Sequence, residues 1–142
     1  MTSASALGRR ERLSVAGKLE LCAEIIVAYG RARRALRQRS LPAVAARMRR
    51  SANPAWLAGE DAYGTGLRLG AAVAHVLGVL SRDSRCLTTS LVLTALLARR
   101  GIPATLVIGV RSHPFAAHAW VEHRGRPLLP AATAPFERLL EV

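Results

Sequence analysis

The hydrophobic and polar positions of the chain divide it into a helical first part and a second part that contains strands. Apolar residues recur at helical spacing from Arg12 to about Gln38, which predicts one long amphipathic helix. Two further helices are predicted from Pro42 to Arg50 and from Glu60 to Leu80. The apolar stripe of the first helix is expected to comprise Leu13, Ala16, Leu19, Cys22, Ile26 and Tyr29, widened by Leu21, Ile25 and Leu36.

A fourth helix is predicted from Arg85 to Arg100 and differs from the others because it is apolar on nearly every side. Such a helix is expected to be buried on most of its surface. Asp83 or Ser84 can cap its start, and Gly101 supplies the left-handed residue that commonly follows the end of a helix. Cys86 then falls in the first turn, where unpaired backbone N–H groups and the positive end of the helix dipole favour a thiolate.

The remaining apolar segments predict a small antiparallel sheet. The expected strands are Ala104–Arg111, Ala116–His123 and Arg126–Leu129, with Phe136–Val142 as a last strand or turn. In the second strand His118, Trp120 and Glu122 share one face, and we expect that face to meet the cysteine helix. A cysteine at a helix start beside a histidine on a sheet is the layout of a nucleophile with its base.

Several segments of the second part resemble one known family. The segments are CL-x-x-SL-x-L from Cys86, R-R-G-I-P-A from Arg99, P-F-x-A-H-A-W-V-E from Pro114 and G-R-P from Gly125. Over residues 82–127 they resemble the transglutaminase-like leader peptidases of lasso-peptide biosynthesis.

The resemblance implies an α+β fold, with a papain/transglutaminase-like cysteine peptidase core and N-terminal helices. We expect one domain over residues 1–142, mainly helical over 1–81 and carrying the catalytic core over 82–142. The resemblance further implies that Cys86 is the nucleophile and His118 its base, and that the enzyme removes the leader from a ribosomally made precursor peptide. The partners that the resemblance implies are the precursor, a separate leader-recognition protein and the lasso cyclase. No cofactor and no metal are expected.

Two positions depart from the family pattern. The aspartate that usually completes the triad, about twelve residues after the histidine, is replaced by Pro130, and the usual arginine three residues after the cysteine is Thr89. Trp120 and Glu122 are candidate substrate-binding residues. A catalytically impaired scaffold that binds the precursor without cutting it therefore stays open as an alternative.

Charge and composition bound the remaining functions. The net charge is +12, and residues 1–50 hold 12 Lys and Arg against 3 acidic residues. The basic run Arg31–Arg50 is expected to be a solvated helix face or a docking face for an acidic peptide or partner. A basic nucleic-acid-binding helical module is a further alternative, although the aromatic content of 4% argues against it.

Cellular location is indicated by the cysteines and by the absence of long apolar runs. Cys22 and Cys86 are too few for a disulfide framework or a zinc cluster, which fits a reducing cytoplasm. No run approaches the ~20 uninterrupted apolar residues that span a bilayer, so no membrane association is expected. His75, His113 and His123 are expected to be surface residues.

Overall fold

The computed structural model describes residues 13–50, 61–80, 86–129 and 135–142, which form helices followed by one sheet. The helices are α1 (Val15–Gln38), α2 (Leu41–Arg50), α3 (Ala62–Leu80) and α4 (Cys86–Arg99). The strands are β1 (Thr105–Ser112), β2 (Phe115–His123), β3 (Arg126–Pro127) and β4 (Glu137–Glu141). The sheet is antiparallel with the order β3-β2-β1-β4, which confirms the expected α+β class.

Helix α4 lies at the centre of the molecule and contacts the other three helices and the sheet. Its buried residues are Thr88, Ser90, Leu91, Val92, Leu93, Thr94, Leu96, Leu97 and Ala98. Gly101 follows the helix with a φ of 66°, the left-handed conformation that its lack of a side chain permits. The buried helix and its predicted end are confirmed, whereas the proposed caps Asp83 and Ser84 lie outside the described residues.

The predicted buried face of α1 is only partly correct. Ile25 is buried as expected, and the predicted residues Leu21, Tyr29 and Leu36 pack against the core. Leu19 and Ile26 of the same predicted stripe remain 66% and 48% exposed. The reason is that α2, α3 and α4 all contact α1, and their positions decide which side of it is covered. The buried side includes the small residues Ala28 and Ala32, which allow a close approach. The helical spacing was sufficient to predict the helix but not the side on which its partners lie.

Helix α3 packs on the segment after β3 through two glycines. A Cβ at Gly66 would lie 2.9 Å from the Leu128 side chain, and one at Gly70 would collide with the Leu128 backbone carbonyl. The buried face thus contains glycines, with Leu69, Val73 and Leu77, and leaves Leu67 exposed. By length and composition alone α3 could cross a membrane, a property that core helices of folded proteins can share.

We predict that Gly70→Ala lowers the free energy of unfolding by about 1–3 kcal/mol, because the added methyl group meets a backbone carbonyl that cannot move independently. The matched control is Gly78→Ala in the same helix, since nothing lies within 4 Å of a Cβ there. This control should be neutral or stabilise the protein by up to about 1 kcal/mol through helix propensity. Urea unfolding measures both, and equal effects would contradict the close packing of α3 on Leu128.

Candidate active site

The sulfur of Cys86 lies against the strand that carries His118. Its Sγ accepts a hydrogen bond from the backbone N–H of Ala119 at 3.4 Å. Among the described residues β3 pairs with β2 only at Glu122 and His123, so the pairing with β3 does not extend to the Ala119 N–H. Since the Ala119 nitrogen is bonded to the carbonyl carbon of His118, covalent dimensions place Sγ within about 6 Å of the His118 Cα.

The expectation that the His118 face of β2 meets the cysteine helix is wrong. Ala119 and Val121 are buried in the core together with the leucines of α4. Because side chains alternate along a strand, His118 and Trp120 point to the opposite face of the sheet. The small side chain of Ala119 lets α4 approach the strand closely, so the sulfur lies against the backbone of β2 at the residue that follows His118.

The same alternation corrects the expectation for His123. This residue is on the α4 side of β2 and is only 6% exposed, not a surface residue. Its Nδ1 lies 2.6 Å from the carbonyl oxygen of Pro103, to which it donates. His75 and His113 are exposed as expected.

The ring of His118 is held between two aromatic side chains. It stacks on Trp120 with the ring centres 5.8 Å apart and an angle of 20° between the planes. Phe136, just before β4, packs against it with the centres 5.6 Å apart. Gly109 makes room for this arrangement, since a Cβ there would lie 2.8 Å from the Phe136 Cβ and 2.9 Å from the Trp120 ring. We call His118, Trp120 and Phe136 the aromatic clamp.

A buried carboxylate fixes the orientation of Trp120. Glu122 accepts a hydrogen bond from the Trp120 Nε1 at 2.8 Å and one from Arg138 at 2.8 Å. Arg138 also donates to Glu141 at 2.7 Å. The hydrogen bonds to Glu141 and then Glu122 raise the pKa of Arg138 above its already high ordinary value, so this residue stays cationic. The Glu122–Arg138 pair thus links β2 to β4 beneath the clamp.

The imidazole has an unused polar atom. The Nε2 of His118 is buried and has no hydrogen-bond partner among the described residues. Pro130, which stands in the usual aspartate position, lies outside those residues. The carboxylate of Glu122 is hydrogen-bonded to Trp120 and Arg138 instead of to the histidine. Substrate contact by Trp120 and Glu122 stays a prediction.

Sequence reasoning did not identify Phe136, Arg138 or Gly109 as parts of this site. Phe136 reaches His118, and Arg138 reaches Glu122, because β4 pairs with β1. In that pairing Gly109 lies opposite Arg138 on one side and His118 on the other. A glycine inside a strand can mark the close approach of another group, and Gly109 carried that signal in the sequence.

We predict that Glu122→Leu lowers the free energy of unfolding by about 1–3 kcal/mol, because the partly buried indole N–H of Trp120 loses its acceptor. Glu141→Leu is the matched control, since it removes an exposed partner of the same arginine and leaves the Trp120 hydrogen bond intact. The control should change stability by less than about 0.5 kcal/mol. Thermal unfolding measures both, and a Glu122→Leu effect no larger than the control would contradict a role for this carboxylate in holding Trp120.

Comparison with known proteins identifies the family of the chain. The model of the transglutaminase-like superfamily matches residues 9–141. The microcin J25-processing protein McjB of Escherichia coli is 54% identical over 43 residues, which cover 30% of this chain and 21% of that protein. No solved structure gives a significant match. Both similarities support the resemblance derived from the sequence, and the extent of the family match shows that the chain belongs to the transglutaminase-like superfamily.

Proposed function

We propose that this protein is a cysteine peptidase that removes the leader from a lasso-type precursor peptide. The observation that carries the proposal is the hydrogen bond from Ala119 to the Cys86 sulfur, which joins the start of α4 to the strand of His118. The family match and the processing role named for McjB support the same reading. A precursor peptide is therefore the proposed substrate.

In the proposed reaction the Cys86 thiolate attacks the carbonyl carbon of the scissile peptide bond. The backbone N–H of Cys86, at the first turn of α4, is the proposed first donor to the developing oxyanion. His118 takes the thiol proton and gives it to the leaving amine, which departs as the amine of the released fragment. Water then attacks the thioester, releases the other fragment as a carboxylic acid and restores the thiol.

The aromatic clamp takes the place of a hydrogen-bonded orienting group in this proposal. In a triad the third residue holds the imidazole in a productive orientation. Here the stacking of His118 on Trp120, and the hold of Glu122 on Trp120, restrict the rotation of the ring. Trp120 and Glu122 are thus proposed as positioning residues in addition to their candidate role in substrate binding.

The partners in this proposal follow from the resemblance stated above. A separate leader-recognition protein brings the precursor to the peptidase, and the lasso cyclase acts on the product. The proposed location is the cytoplasm. The scaffold alternative predicts that the same chain binds a precursor and forms no thioester.

We predict that Cys86→Ala lowers precursor cleavage at least about a thousandfold, because the nucleophile is removed. His118→Ala should lower it about a hundredfold or more, the usual contribution of a positioned acid–base group. Mass spectrometry of a lasso-type precursor, incubated with the chain and a leader-recognition protein, measures cleavage. Cys22→Ala, which changes a partly buried cysteine in the middle of α1, is the matched control and should retain activity.

The reactivity of the two cysteines can be measured without a substrate. Iodoacetamide should alkylate Cys86 faster than Cys22, and His118→Ala should remove the difference if His118 activates the sulfur. Equal alkylation of both cysteines, together with full cleavage by Cys86→Ala, would reject the peptidase proposal.

We predict that Trp120→Ala lowers kcat about ten- to a hundredfold with little change in KM, because the His118 ring loses the surface against which it is held. Trp120→Phe keeps a ring at that position and should recover most of the activity. Steady-state cleavage kinetics separate the two parameters. A rise in KM at unchanged kcat would instead assign Trp120 to substrate binding.

A further inference from the structure

A groove lies where α1, α2 and α4 meet, away from the start of α4. Its volume is about 200 Å³. The floor is formed by small or branched apolar residues, namely Val27, Ala28, Ala35, Val44 and Ala95. Each of the three helices also contributes one arginine to the lining, Arg31 from α1, Arg47 from α2 and Arg99 from α4. We call this the arginine groove.

The charges around the arginine groove are not balanced. Glu24 lies 3.5 Å from Arg99 but is also held by Arg100 at 2.8 Å. The ion pairs among the described residues include none for Arg31 or Arg47, and both side chains are exposed. Three cations over an apolar floor form a surface that is complementary to a ligand with both carboxylate and apolar groups.

The size and lining of the groove select the class of ligand. Pockets that enclose a whole small molecule usually have about 300–1,000 Å³, so this groove fits one or two side chains of a longer ligand. None of the lining residues in the part of the chain that the structure describes is aromatic, whereas single-stranded nucleic acids are commonly held by base stacking. An acidic segment of a peptide fits both the small volume and the lining of the groove. One of its apolar side chains can lie on the floor, and the flanking carboxylates can pair with the arginines.

The position of the groove along α4 relates it to the sulfur. Ala95 and Arg99 follow Cys86 by 9 and 13 residues, which correspond to about 14–20 Å at the rise of an α-helix. An extended peptide covers this distance with about four to six residues. A peptide bound at the cysteine can therefore reach the groove with a segment of the same chain.

We infer that the arginine groove is an exosite that binds an acidic, partly apolar segment of the peptide substrate, at least about four residues from the scissile bond. The inference rests on the proposed peptidase function for its choice of ligand. The groove itself is separate from the catalytic residues, so binding can be measured in the absence of cleavage.

The test is fluorescence anisotropy with the full chain and a short fluorescein-labelled peptide of alternating glutamate and leucine. Arg31→Gln and Arg47→Gln should each weaken binding about two- to fivefold, and the double variant about tenfold or more. Arg34→Gln is the matched control, because it removes the same charge from an exposed position of α1 outside the groove and should leave the Kd within about twofold. Ala35→Leu, which fills the groove without changing the charge, should also weaken binding.

Three results would overturn the inference. The first is an equal loss for Arg34→Gln and Arg31→Gln, which indicates attraction by net charge alone. The second is unchanged affinity when the glutamates of the peptide are replaced by glutamine. The third is tighter groove-dependent binding of a single-stranded oligonucleotide than of the peptide. The two proposals can fail separately. If Cys86 forms a thioester but the groove variants bind the peptide as tightly as the unchanged chain, only the exosite is rejected. If peptide binding depends on the groove but no thioester forms, only the peptidase proposal is rejected.

Discussion

The burial of α4 is the constraint on which the rest of the structure depends. A helix that is apolar on nearly all sides must be covered on nearly all sides, and here three helices and a sheet cover it. The sheet approaches through Ala119 and Val121, and the small side chain of Ala119 lets the start of α4 come close to β2. The contact of the Cys86 sulfur with the Ala119 N–H is thus a consequence of core packing.

The sequence was sufficient to predict α4 and the pairing of β1 with β2, but not how the other elements pack around them. The helix, its end at Gly101 and the antiparallel pairing of β1 with β2 follow from local signals, namely apolar composition, a left-handed glycine and alternating residues. The buried side of α1 could not be predicted in the same way. Leu19 and Ile26 have the spacing of a core stripe, but only the position of α4 and α2 decides which stripe is covered.

Two errors at the site concern the faces of β2. We expected the His118 face to meet α4 and His123 to be a surface residue, but His123 shares the buried face of Ala119 and Val121. The other face of the strand contains Ala119 and Val121, which are small and apolar, and this composition was the available signal for the side that packs on a helix. Phe136 and Arg138 had no comparable signal, because their contacts depend on a strand that pairs across the sheet from a distant part of the chain.

The aromatic clamp bears on why a cysteine site can depart from the usual triad. A carboxylate beside an imidazole both orients the ring and stabilises the positive charge that forms on it. In the peptidase proposed for this chain, stacking on Trp120 supplies the orientation without a hydrogen bond. In a cysteine–histidine pair the proton can move from sulfur to nitrogen before the substrate arrives, and the thiolate then balances the charge of the ring. In the proposed peptidase, the charge stabilisation that stacking does not supply is therefore provided by the Cys86 thiolate, whereas a serine hydroxyl in the same place could not provide it.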